Sequence, residues 1–182
     1  MTTYQHRCVP AGIKAGQPWA GDNCAFSGFD ENKFFSWLPL LGAYRSTCLF
    51  VVAPDAVGDS SQTLDMFSEY APRMLGWPVA FVAQDGQEDM EFPPSELWTT
   101  LFVGGSTAWK ESAAAVGCIK RAQWLGKSIH IGRVNWWRRY AMFRVLAGSE
   151  RFTCDGTRLR FERNAALRAW AGYEAQGVLV SL

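Results

Sequence analysis

The sequence predicts an α/β fold of parallel strands joined by helical crossovers, a compact or incomplete TIM-like (β/α) barrel, on three observations. Short apolar runs alternate with amphipathic stretches along the chain. Each run closes on a polar or glycine-containing cluster. The length, 182 residues, suits one domain with a real core but falls short of the roughly 250 residues of a full eightfold barrel. An open doubly wound parallel sheet is the alternative. One domain over residues 1–182 is expected, since no repeat, low-complexity tract or linker divides the chain.

In chain order, two weaker strand candidates come first, Tyr4–Val9 and Pro18–Gly21. A helix is expected over Asp30–Leu41. Cys48–Ala53 reads as a clear strand. It precedes a helix over Ser61–Leu75, where Leu64, Phe67 and Ala71 recur at helical spacing behind a Ser60 or Ser61 cap. Val79–Ala83 and Thr100–Val103 are the next strands, rich in β-branched and aromatic residues. A helix over Thr107–Leu125 leads to the strand Ser128–Ile131. A helix over Asn135–Ala147 leads to a less clear strand at Arg151–Cys154, and Asn164–Ala175 closes the series. Strand, loop and helix repeated in this way point to a parallel sheet.

Composition bounds the function classes. Hydrophobic residues make up 48% and charged residues 19%, which excludes general disorder. Nine Trp and twelve Phe exceed ordinary structural need, so some rings are candidate stacking surfaces while most are core. The formal net charge is +1, yet the basic residues gather late. Lys120, Arg121, Lys127, Arg133, Arg138, Arg139, Arg144, Arg151, Arg158, Arg160, Arg163 and Arg168 are opposed only by Glu150, Asp155 and Glu162. That third has the make-up of a phosphate-contacting face or of solvated helix faces. Cys8, Cys24, Cys48, Cys118 and Cys154 are scattered and lack zinc-ligand spacing. With no signal peptide and no long apolar run, reduced thiols in a cytoplasm are expected, with no membrane contact.

The polar clusters that end the runs carry the functional signal. They are Asp22-Asn23-Cys24-Ala25-Phe26-Ser27-Gly28, Pro54-Asp55, Gln84-Asp85-Gly86, Gly104-Gly105-Ser106, Gly132-Arg133-Val134-Asn135 and Asp155-Gly156-Thr157. In a parallel α/β fold the carboxyl ends of the strands share one face, where active sites form. Each cluster alone is a common turn or cap; six on one rim predict a shared site. The chemistry that fits is displacement at a sugar carbon, with one carboxylate as nucleophile and one as acid/base. A further carboxylate and an amide would read a purine edge, and glycines would let backbone approach it. His6 and His130 are the only histidines; His130 alternates within a strand and reads as structural. No P-loop or dinucleotide fingerprint is present.

The ordered set, through roughly residues 18–160, resembles tRNA-guanine transglycosylases, and more closely their relatives, often phage-encoded, that insert 7-deazaguanine bases into DNA. The resemblance implies a (β/α) barrel that removes guanine from a polynucleotide and holds the sugar covalently on an aspartate until a deazaguanine attacks. It implies Asp22 as general acid/base and Asp155 as nucleophile. Asp55, Gln84, Gly104, Gly105 and Ser106 would bind the base. The Asp-Gly-Thr form at Asp155 agrees with the DNA-acting branch, and the Cys/His zinc site of the tRNA enzymes has no counterpart in this cysteine spacing. Arg133, Arg138 and Arg139 are then candidate phosphate contacts, and Trp136 and Trp137 candidate stacking rings for an extruded base. The expected partners are DNA ahead of tRNA and a free 7-deazaguanine base, with no metal or organic cofactor. The compartment would be the host cytoplasm if the chain is phage-encoded, and oligomeric state is left open. A non-catalytic nucleotide-binding or nucleic-acid-binding module, or a nucleoside glycosidase, are the alternatives on the same scaffold.

Overall fold

The computed structural model describes residues 1–6, 8–148, 152–157 and 163–175. Its strands are β1 (Thr2–Thr3), β2 (Trp19–Asp22), β3 (Cys48–Val52), β4 (Val79–Ala83), β5 (Thr100–Val103), β6 (Ser128–Ile131) and β7 (Phe152–Cys154). The helices are α1 (Ala11–Lys14), α2 (Glu31–Trp37), α3 (Ser60–Tyr70), α4 (Thr107–Lys110), α5 (Ala113–Trp124), α6 (Trp137–Ala147) and α7 (Arg163–Ala175). The strands form one parallel sheet in the order β1-β2-β3-β4-β5-β6-β7. A doubly wound sheet reverses its strand order at a switch point; this one never reverses. The architecture is an incomplete TIM-like barrel.

Period-two alternation divides the strand residues between two cores. Val51, Ala53, Val79, Phe81, Ala83, Leu101, Val103, Ile129 and Ile131 point outward and join Phe34, Phe67, Ile119 and Phe143 from the helices. Ala20, Phe50, Val52, Ala80 and Val82 point inward and pack with Phe102. All five residues of β4 are buried, which explains why parallel strands read as continuous apolar runs. The sheet curls strongly. Phe50 on β3 and His130 on β6 have ring centroids 4.9 Å apart, whereas three strand spacings in a flat sheet span about 14 Å. Thr3 and Gln5, at the β1 end, likewise line the same pocket as Asp155, at the β7 end.

Several element boundaries differ from the sequence reading. The first strand is Thr2–Thr3, not Tyr4–Val9: Tyr4 turns away, its hydroxyl donating to Gly28 O and accepting from Asp30 N. The helix expected over Asp30–Leu41 ends at Trp37, and Pro39 enters a 3₁₀ stretch instead. Asp59, not a serine, caps α3 by accepting from Gln62 N at 2.9 Å. The helix expected over Thr107–Leu125 is split, because Ser112 adopts extended backbone and caps α5 at Ala115 N. α6 begins at Trp137 behind Trp136, without a side-chain cap. Arg151, expected to open the last strand, lies outside the described residues, as do Arg158 and Arg160 of the basic set.

Candidate functional site

The inward alternation of the strands runs on past their carboxyl ends. It delivers Asp22, Gln84, Gly104, Gly132 and Asp155 to one pocket of about 300 Å³ whose floor includes Val52, Val82 and Phe102. Asp55, Asn23, Cys24, Phe26 and Arg133 are among its other lining residues.

Two Asx turns shape the β2 end. Asp22 Oδ1 accepts from Cys24 N and Asn23 Oδ1 from Ala25 N, both at 2.9 Å. Cys24 is thereby held in the left-handed region, φ 62°. The turn swings Asn23 inward, where its Nδ2 donates to Ala53 O and to Asp55 Oδ1, each at 2.6 Å. Gln84 Nε2 donates to Asp55 Oδ2 at 2.7 Å, and Gln84 Oε1 accepts from Gly58 N. Asp55 is thus gripped by two amides. Burial pushes its pKa up to about 6; the Asn23 and Gln84 bonds pull it down, and the Asp22 charge adds to the rise.

Asp155 has the opposite electrostatic fate. Burial acts to raise its pKa, but His130, the Arg133 N–H and the N-terminal ammonium outweigh that and hold it below the usual carboxylate range. Its Oδ1 accepts from Arg133 N at 2.6 Å and its Oδ2 faces His130 Nε2 at 3.4 Å. His130 is 3% exposed, packs against both the Phe50 and Phe102 rings, and has Nδ1 2.8 Å from Thr153 Oγ1. One tautomer serves both contacts: the threonine hydroxyl donates to Nδ1 and Nε2–H donates to the carboxylate. Arg133, like Cys24, is a non-glycine residue at positive φ, 61°. These two described residues both line the pocket, and each gives its backbone N–H to one of its carboxylates.

The mouth carries a ring and a cation. Phe26 is 72% exposed, and the Arg133 guanidinium lies 4.9 Å from its centroid. Arg133 Nη2 also donates to Gly105 O at 2.7 Å, tying the β5 and β6 loops together.

No family model, curated protein or solved structure matches the chain. The site therefore stands on its own geometry.

Of the residues singled out from the sequence, Asp22, Asp55, Gln84, Gly104, Arg133 and Asp155 meet at this pocket. Gly104 fits by necessity, since a β-carbon there would sit 2.8 Å from Val82 and 3.3 Å from Gln84 Nε2. Gly105 and Ser106 are not among its lining residues. The space beside Gly105 is filled by the Trp109 ring and by Asp85 Oδ1, 2.6 Å from where a β-carbon would be. The Ser106 hydroxyl caps α4 through Trp109 N and donates to Asp85 Oδ2. Both are scaffold residues. Arg139 is ion-paired with Glu111, while Arg138 and Trp136 are exposed beyond the pocket; Trp137 packs on Tyr140 against the outer core. Arg121 pairs with Glu91, and Lys127 donates to the Ser95 and Trp98 carbonyls. Part of the basic third is thus consumed internally.

Asn23, Cys24 and Phe26 stood in the first polar cluster of the sequence reading without a role of their own, and the role of His130 escaped it. Asn23 directly follows an inward strand-end aspartate, and that adjacency was the available signal. His130 shares the inward parity of Phe102 but carried no spacing cue toward Asp155. Among the described residues, no group of three His, Cys, Asp or Glu side chains is placed to hold a metal ion. No described helix is long and apolar enough to cross a membrane.

Proposed function

We propose that this chain is a base-exchanging transglycosylase that replaces guanine by a 7-deazaguanine base in DNA. One observation carries the reading. A pocket of about 300 Å³ gathers three carboxylates, Asp22, Asp55 and Asp155, with Gln84 bound to Asp55 and the Phe26 ring and Arg133 cation at its mouth. Three carboxylates allow a nucleophile, an acid/base and a reader of the base edge.

Asp155, kept ionised, attacks C1′ of the target nucleotide; the C1′–N9 bond breaks and its electron pair leaves on guanine. Asp22 supplies the proton that neutralises the departing base. The incoming base then loses its proton to Asp22 and attacks C1′, and the C1′–oxygen ester bond breaks to restore Asp155. Asp55 accepts from the N–H edge of the purine, using lone pairs that Asn23 and Gln84 leave open. Gln84 braces Asp55, and Gly104 lets the base lie against the β5 loop. Phe26 with Arg133 forms the face on which an extruded base stacks, because the reacting carbon is out of reach inside a duplex. Arg138 and exposed Trp136 follow Arg133 in the chain, and serve the polymer outside the pocket.

The test is incubation of the protein with labelled guanine and single- or double-stranded DNA. Incorporation of label supports the reading, and Asp155→Asn is expected to lose both incorporation and any trapped protein–DNA adduct while keeping its fold. Binding without exchange would sink the enzyme in favour of a recognition module. Activity on free nucleosides alone would indicate a glycosidase.

A further inference from the structure

Lys110, at the end of α4, is 5% exposed. A lone ammonium is costly to bury, and a neutral side chain would fill that place more easily. Its Nζ donates to the Gly132 carbonyl at 2.8 Å. The next atoms along that backbone are the Arg133 N–H, which donates to Asp155 Oδ1 at 2.6 Å. Carbonyl and N–H belong to one planar peptide unit and point opposite ways. A cation and an anion therefore hold the two ends of a single dipole.

That peptide orientation is one the backbone would otherwise avoid. It places Arg133 at φ 61°, where a β-carbon is crowded. Turning the unit over would bring φ to about −120°, on the negative side that residues with a β-carbon favour, and would aim the N–H away from Asp155. Something must hold the strained state, and Lys110 is the group in contact with its carbonyl.

We propose that Lys110 is a positioning residue: its ammonium locks the Gly132–Arg133 peptide in the orientation that presents the Arg133 N–H to Asp155. This role rests on the reading of Asp155 as the reacting carboxylate, but the peptide orientation does not. The charged groups that act on Lys110 are Arg133, Asp155, Arg139 and Asp85, with Glu111 bound to Arg139. Burial, then Arg133, lowers its pKa to about 8, so the lock loses its charge and weakens as pH rises through that value.

Lys110→Met keeps the aliphatic stem and removes the ammonium. A crystal structure of this variant is expected to show Arg133 at negative φ with its N–H off Asp155, and kcat/KM is expected to fall roughly 10–100-fold. Arg133 still at positive φ on Asp155 would overturn the proposal. If the variant does not fold, the wild-type chain decides the matter by NMR, with the Lys110 side-chain resonance and the Arg133 amide resonance followed together as pH is raised. An Arg133 amide that shifts with the Lys110 midpoint, also after N-terminal acetylation, is expected; an amide that stays put while Lys110 loses its proton overturns the lock. Neither φ nor the amide shift depends on activity. An inactive wild type would count against the transglycosylase, and an unmoved peptide against the lock alone.

Discussion

Asp55 and Asp155 line one pocket and are shifted in opposite directions, according to whether burial or hydrogen-bonding partners win. Burial raises Asp55 to about 6 although the Asn23 and Gln84 amides pull the other way. Between 3.8 and about 6 the folded chain holds a proton that the unfolded chain has released. Stability from this group therefore falls as pH rises through that window. Asp155, lowered, contributes stability above the ordinary carboxylate range that is lost as pH falls. Asp55→Asn is expected to remove the Asp55 loss, which urea unfolding at stepped pH between 4 and 6 would show as a flatter profile. Asn23→Ala would strip Asp55 Oδ1 of its amide partner and is expected to cost about 1–3 kcal/mol. Asp22→Asn, by removing proton transfer, is expected to lower turnover roughly 10²–10⁴-fold without loss of stability. Asp22, Asp55 and Asp155 were legible in the sequence because each closes an apolar run. Asn23 and His130 were not, because their partners lie on other strands.

At the scale of elements, caps and close approaches decide where helices start and where loops meet. Ser112 divides what the apolar spacing presents as one helix into α4 and α5, and the division leaves Lys110 at the end of α4, over the β6 loop. Ser112→Ala is expected to cost about 1 kcal/mol, read from the urea midpoint. The β7 loop presses on the β6 loop: Val134 N donates to Asp155 O at 2.6 Å, and a β-carbon on Gly156 would collide with the Val134 carbonyl oxygen. Gly156→Ala is expected to destabilise the fold by roughly 1–3 kcal/mol and to displace Asp155. Val79–Ala83, Thr100–Val103 and Ser128–Ile131 were readable to the residue, since apolar strands bounded by loops have sharp compositional edges. Helix starts were less readable, because Asp59, Ser60 and Ser61 are all competent caps and only backbone geometry chooses among them.

At the scale of the molecule, an unreversed strand order and a tightly curled inner face turn six separate loops into one rim. Phe50 is the inner-face residue that seats His130 from across the curl. Phe50→Ala is expected to cost about 3–5 kcal/mol and to loosen His130 beneath Asp155. The sequence by itself determined the α/β class, the parallel strands and the rim residues, because burial on both faces and polar strand ends are written locally. It put the incomplete barrel ahead of the open sheet from chain length and strand count, but did not supply the strand order that decides between them, which is a property of crossovers rather than of strands. Nor did it separate pocket residues from scaffold: Gly104 and Gly105 are neighbours in the chain, yet one lines the pocket and the other packs on Trp109. Only the tertiary structure decided that, because alternation sends successive residues to opposite faces and the curl determines what each then meets.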